Sequence, residues 1–216
     1  MHASALEAEH AEPWSVRVDA HDPRAAEHIA SSLASQILSH ASWERIVVVC
    51  IGTDRSTGDA LGPLVGSLLT EQLACGLDGP PLEGVDIRGT LEDPVHAMNL
   101  RDACGDLAAA QRTHLVVGVD ACLGQAEQVG TISLGLGPVR PGAGVNKALP
   151  PVGSLHITGT VNTGGFMEYL VLQNTRLSLV MRMAKVIAQG IAAAMAAVKS
   201  ARGEALACLP AHRDLS

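Results

Sequence analysis

Two aspartates end two stretches of sequence that look suited to present an acid. Asp59 lies in "IGTDRSTGDALGP" (51–63), a turn-rich segment between an apolar β-branched run and an apolar helical pattern. Asp120 closes the apolar run "HLVVGVD" (114–120). An unpaired charge at the end of a buried strand is costly. Two carboxylates a few ångströms apart cannot both ionise easily, so one pKa rises and the pair can share a proton. One member then activates water as a base, and the other donates to the reacting carbonyl or the leaving amine. Alternatively, the pair binds a divalent ion and a histidine completes the set. His156, in "SLHITG" (154–159), is the best-placed histidine, and His96, in "EDPVHAMNL" (92–100), is second. Asp54 and Arg55 leave the first strand in the same loop as Asp59, and Arg55, Lys147 and Arg176 are the cations available to anchor a carboxylate or oxyanion.

The same loop could be read as a phosphate cradle, but its chemistry argues against that. A Walker-type loop reads GxxxxGK[ST]. Here five residues separate Gly52 from Gly58, and the lysine position holds Asp59, whose carboxylate would repel phosphate. The dinucleotide pattern GxGxxG is missing as well. A simpler role for Asp59 is a helix N-cap, where an acid also suits the helix dipole.

The elements that must position these residues follow from periodicity. "RIVVVCI" (45–51) is a continuous β-branched run, as expected of a strand buried on both faces. Further strands are predicted at 84–89, 114–120, 130–136 and 154–161, with a short edge strand at "WSVRV" (14–18). Helical spacing covers Pro23 to His40, with Asp22 as cap and proline at the first position. Helices are also predicted from Asp59, over 93–110, over 164–173, and in a long last segment that Thr175 would cap. This order predicts a three-layer α/β fold with a mostly parallel sheet flanked by helices. Ligands in such sheets bind beyond the carboxyl ends of the strands, where strand order reverses. The segment "GPVRPGAGVNKALPPVG" (137–153) is long and turn-rich, which suggests a functional loop.

Composition narrows the function classes. The 216 residues suffice for one domain: an N-terminal flexible arm over 1–20, a single α/β domain over 21–202, and a weakly ordered tail over 203–216. Hydrophobic residues make up 47% and aromatics only 2%, so the core must be aliphatic. Scarce aromatics and a net charge of −7 argue against a nucleic-acid partner or an anionic membrane surface. No run reaches the roughly 18 to 20 uninterrupted apolar residues of a membrane span. The start has no signal-peptide pattern, and the five cysteines form no CxxC pair. These features predict reduced thiols and a soluble, cytoplasmic protein.

The strings "CIGTDRSTGDALGPLVGSLL" (50–69), "GTLEDPVHAMNL" (89–100), "DACLG" (120–124), "GPVRPGAGVNKALPPVG" (137–153) and "ITGTVNTGGFMEYLVLQNTRL" (157–177) together resemble the YyaC family of spore-former proteins, described as sporulation proteases. The layout is more remotely similar to spore germination protease and to the hydrogenase maturation endopeptidases. These share an α/β fold with a mostly parallel sheet. The resemblance implies a cytoplasmic endopeptidase in which Asp59 and Asp120 form an acid dyad for peptide-bond hydrolysis. It also implies His156 as a third site residue, serving in catalysis or as a ligand with the two acids for a divalent metal, the one cofactor considered. The hydrogenase endopeptidases usually carry an acid just before the first site residue, where this chain has Gly58. In that reading Asp54, Arg55, His96, Asn146 and Lys147 contact a protein or peptide substrate. The alternatives are a non-catalytic peptide- or protein-binding module on the same scaffold, and a divalent-metal acid pocket of the phosphoryl-transfer kind. Substrate identity and oligomeric state are left open.

Overall fold

A computed structural model describes residues 14–40, 43–74, 84–109, 113–142 and 149–207. Six strands form one sheet in the order β1-β5-β6-β4-β2-β3. They are β1 (Ser15–Asp19), β2 (Arg45–Cys50), β3 (Val85–Arg88), β4 (His114–Gly124), β5 (Thr131–Leu136) and β6 (Leu155–Thr163). The β2–β3, β2–β4 and β4–β6 pairs are parallel, and the β5–β6 and β1–β5 pairs are antiparallel. The expected α/β sheet is therefore present, with an antiparallel edge. The stretch expected as an edge strand pairs Ser15–Asp19 with Thr131–Gly135, so the sheet takes in residues assigned above to the N-terminal arm.

Alternation along each strand sends side chains to two different environments. Ile46, Val48 and Cys50 of β2, Val117 and Val119 of β4, and Ile157 of β6 enter the main core. There they meet α1 (Ala25–Ser39), α2 (Leu61–Ala74) and the long α6 (Leu177–Ala207). Val47 and Val49 of β2 and Val116 of β4 point the other way, into a smaller cluster with Val95, Leu100, Leu107, Val139 and Val152. That face is covered by α3 (Leu100–Ala103), α4 (Gly105–Ala109) and irregular chain. The remaining helix, α5 (Glu168–Gln173), follows β6.

α6 extends past residue 202 to Ala207. By length and composition its Leu177–Gly203 stretch could cross a membrane. Arg182 and Lys185 interrupt this stretch, so it contains no unbroken apolar run of spanning length. In the fold its Val180, Met183, Ala184, Ile187 and Ile191 are fully buried, packed within the main core.

Three helical expectations are corrected by local hydrogen bonding. Over 93–110 the structure has a loop and then two short helices. The chain at Val95 pairs with Ile51, and Gly52 N–H donates to the Val95 carbonyl. His96 N–H donates to Asn99 Oδ1, and Met98 N–H donates to His96 Nδ1. Side chains thus take backbone donors that a helix would have used. Asp22 accepts from Arg24 N–H in the turn before α1, whose N-cap position is Arg24. Thr175 turns back toward α5: its hydroxyl donates to the Val171 carbonyl and accepts from the Asn162 amide.

Candidate active site

β2 and β4 are parallel neighbours, and the chain leaves β2 for β3 on one side while β4 lies on the other. Strand order reverses there, which opens a crevice beyond the carboxyl ends. Asp59 and Asp120 both line it. Asp59 arrives on a tight loop. Thr53 N–H donates to the Asp59 carbonyl at 3.1 Å. Gly52 has φ +145°, and a Cβ there would overlap that same carbonyl oxygen, so the loop requires glycine. Asp59 lies within a one-turn 3-10 helix, Gly58–Ala60, whose cap position is Thr57. It is therefore not the N-cap.

Asp120 shares the parity of Val116 along β4 and so faces the loop-covered side of the sheet. Only 8% of it is exposed. Ala121 N–H donates to its Oδ1 at 2.9 Å, and among the described residues it has no ion pair. Burial and the adjacent Asp59 charge push its pKa well above the ordinary carboxylate range, against the opposing effect of the Ala121 N–H. Asp59 is also raised, chiefly by burial, while a hydrogen bond from the Thr53 backbone and the nearby His96 pull it down. The two acids thus form one electrostatically coupled pair. Both pKa values are raised, Asp120 the further of the two, and only Asp59 has a nearby histidine opposing the rise.

The crevice has two lobes that meet at the acids. One, of about 450 Å³, is lined by Asp59, Asp120, Cys122, Arg140, His156, Thr158 and Glu168, among others. The second, of about 460 Å³, runs past Asp59 and Asp120 to Arg55, Ser56, His96, Met98, Tyr169 and Leu172. A histidine stands in each lobe, and their hydrogen bonds fix opposite tautomers. His96 Nδ1 accepts from Met98 N–H, which places the neutral ring's proton on Nε2. His156 Nδ1 lies 3.1 Å from the Gly137 carbonyl and must donate to it, leaving Nε2 with the lone pair. The His156 ring lies against Gly135, where a Cβ would come within 2.6 Å of its Cε1.

The structure distributes the remaining expected residues unevenly. Arg55 and His96 line the second lobe, whereas Asp54 is exposed and lines neither lobe. Asn146 and Lys147 lie outside the described residues. Arg176 is exposed and lines neither lobe. Among the described residues no three His, Cys, Asp or Glu side chains converge well enough to hold a metal ion. His156 pairs with Gly118 in the β4–β6 register, two residues before the Asp120–Thr158 pair, and its ring is tied to the Gly137 carbonyl. The histidine close enough to bear on Asp59 is His96, which lowers the Asp59 pKa only when its ring is charged.

Sequence reasoning overlooked several lining residues. Thr158 was detectable, because it shares the His156 face of β6 by two-residue alternation. Arg140 lies in the turn-rich 137–153 segment singled out for its composition. Ser56 gave no signal. Its hydroxyl is buried and has no hydrogen-bond partner among the described residues, in the lobe that Asp59 also lines.

Comparison with known proteins places this geometry in context. The chain is 52% identical over 170 residues to the "Uncharacterized protein YyaC" of Bacillus subtilis (strain 168), covering 79% of this chain and 78% of that protein. The fold is similar to the crystal structure of a [NiFe] hydrogenase maturation protease, HycI, from Thermococcus kodakarensis KOD1. The TM-score is 0.50 at 21% identity, over 76% of this chain and 99% of that one. That likeness shows a shared scaffold, the α/β fold of a maturation protease. Residues 17–190 match the family model described as "Protein of unknown function (DUF1256)", and with the YyaC relationship this means that the chain belongs to the DUF1256 family.

Proposed function

We propose that this protein is an endopeptidase whose catalytic unit is the Asp59–Asp120 pair. The observation that carries the reading is a buried Asp120 that lines an open crevice together with Asp59, its pKa raised by burial and by the Asp59 charge. Asp59, the more readily ionised member, takes a proton from a water held between the two carboxyls. Asp120 donates its proton toward the scissile carbonyl as the tetrahedral intermediate forms. The proton gained by Asp59 then passes to the leaving amine as the C–N bond breaks, Asp120 takes back a proton from one hydroxyl of the intermediate as the product carboxyl forms, and the pair returns to its singly protonated state. His156 Nε2 and His96 Nε2–H offer an acceptor and a donor on opposite sides, suited to orienting a substrate backbone.

The donor set does not fit a three-ligand metal centre, so no step is routed through one. Similarity to a maturation-protease scaffold supports the peptidase class. A role in sporulation and a cytoplasmic location belong to the same proposal and rest on the YyaC-family resemblance.

The test is to incubate purified protein with a denatured protein mixture across about pH 4 to 8 and read new termini by mass spectrometry. Wild type should generate discrete termini that Asp120→Asn does not. No cleavage by wild type, or equal cleavage by the variant, would end the proposal.

A further inference from the structure

The aromatic residues of this chain are few, and two of them are where a folded protein rarely leaves them. Its one phenylalanine, Phe166, is 90% exposed, and its one tyrosine, Tyr169, is 61% exposed. Phe166 precedes α5 and Tyr169 lies in its first turn, on either side of Met167, whose φ of 60° puts it in the left-handed region that non-glycine residues seldom adopt. Across the crevice, Met98 is 83% exposed on the loop that carries His96. Tyr169 and Met98 line the same lobe, together with Ile51, Ala97, Leu149 and Leu172. That lobe runs directly into Asp59 and Asp120.

The two lobes differ in chemistry. The His156 lobe offers Arg140, Glu168, Thr158 and a histidine. The His96 lobe adds aliphatic, thioether and aromatic walls from Ile51, Met98, Leu149, Tyr169 and Leu172 to its polar members, which are Thr53, Arg55, Ser56, His96 and the two acids. Exposed Met and Tyr are costly to leave in water, and they supply adaptable, high-contact surface for an apolar guest. A polypeptide lying across the acids would place one side of its scissile bond in each lobe.

We propose that the lobe walled by Met98, Tyr169 and Leu172 is a specificity subsite that takes a large aliphatic or aromatic side chain of a polypeptide substrate, adjacent to the bond cleaved. The inference rests on the peptidase reading, but it can fail separately because it is testable by binding alone. Asp120→Asn protein is titrated with fluorescein-labelled decapeptide pools that vary one position among Leu, Phe, Ser, Asp and Lys. Pools carrying Leu or Phe should bind about tenfold more tightly than those carrying Asp, equivalent to about 1.4 kcal/mol. Tyr169→Glu and Met98→Glu, made separately in that background, should each remove the preference; both side chains are largely exposed, so folding should survive. Equal binding of all pools, or an unchanged preference in both variants, would overturn the subsite. A clear preference without any cleavage by wild type would instead retain the subsite and refute the peptidase.

Discussion

The two faces of the sheet are built by different rules. On one, three helices bury a continuous aliphatic core, and residues such as Ile29, Ile37, Val48 and Ile187 are wholly shielded from water. On the other, two short helices and irregular chain cover a small apolar cluster, and the strands present Asp120, His156 and Thr158. Neighbouring residues on one strand serve opposite purposes: Val119 enters the main core, and Asp120 enters the crevice. Stability is concentrated on the helical face. The thin face can therefore hold a buried acid at a cost the other face covers.

The sharpest way to break this contrast is to mutate each face. Asp120→Asn should lower peptidase activity by about 10²- to 10⁴-fold and leave the fold intact; circular dichroism and the terminus-mapping assay read the two effects. Ile187→Ala should do the reverse, costing about 2–5 kcal/mol of stability in a denaturant melt with kcat little changed at temperatures where the variant stays folded. A large activity loss without destabilisation in Ile187→Ala would undo the division of labour.

A smaller effect sharpens the same comparison. The Asp120 carboxyl has a raised pKa in the folded state, against about 3.9 for an unfolded chain. Between those values the folded protein binds more protons than the unfolded one, so this group's contribution to stability falls as pH rises. At pH values above the unfolded pKa, wild type carries a growing penalty that Asp120→Asn lacks. The variant should melt a few degrees higher near pH 8, each kcal/mol being worth about 2–4 °C in a domain of this size. The gap should close toward pH 4. A variant that melts lower than wild type at neutral pH would argue against a buried Asp120 whose ionisation burial and Asp59 oppose. The smallest expected effect is from chelation: exhaustive treatment should leave the cleavage rate unchanged, and a lost rate restored by one divalent metal would require a ligand set beyond the acid pair.

Much of the frame was legible in the sequence, for identifiable reasons. A doubly buried parallel strand such as β2 has no polar face, so "RIVVVC" stands out without tertiary information. The two acids were legible because each interrupts or follows such a run. What failed depended on contacts distant in sequence. The segment 93–110 carries a helical apolar pattern, but its first part is captured by pairing with Ile51 and by the His96–Asn99 hydrogen bonds. His156 has the right strand face, yet only the β4–β6 register shows that it stands two residues behind Asp120's partner. His96 looked secondary because nothing local shows that its loop folds over the end of β2. Likewise, no sequence signal separates Tyr169 on a crevice wall from a tyrosine in a core.

The most direct test is the titration of the two carboxyls themselves, followed by NMR on protein carrying ¹³C-labelled aspartate side-chain carboxyls. The Asp120 signal should titrate well above the ordinary carboxylate range in wild type and move part of the way back in Asp59→Asn, since one of its two raising causes has been removed. An Asp120 carboxyl that titrates in the ordinary range, or that does not respond to Asp59→Asn, would contradict a shared-proton pair.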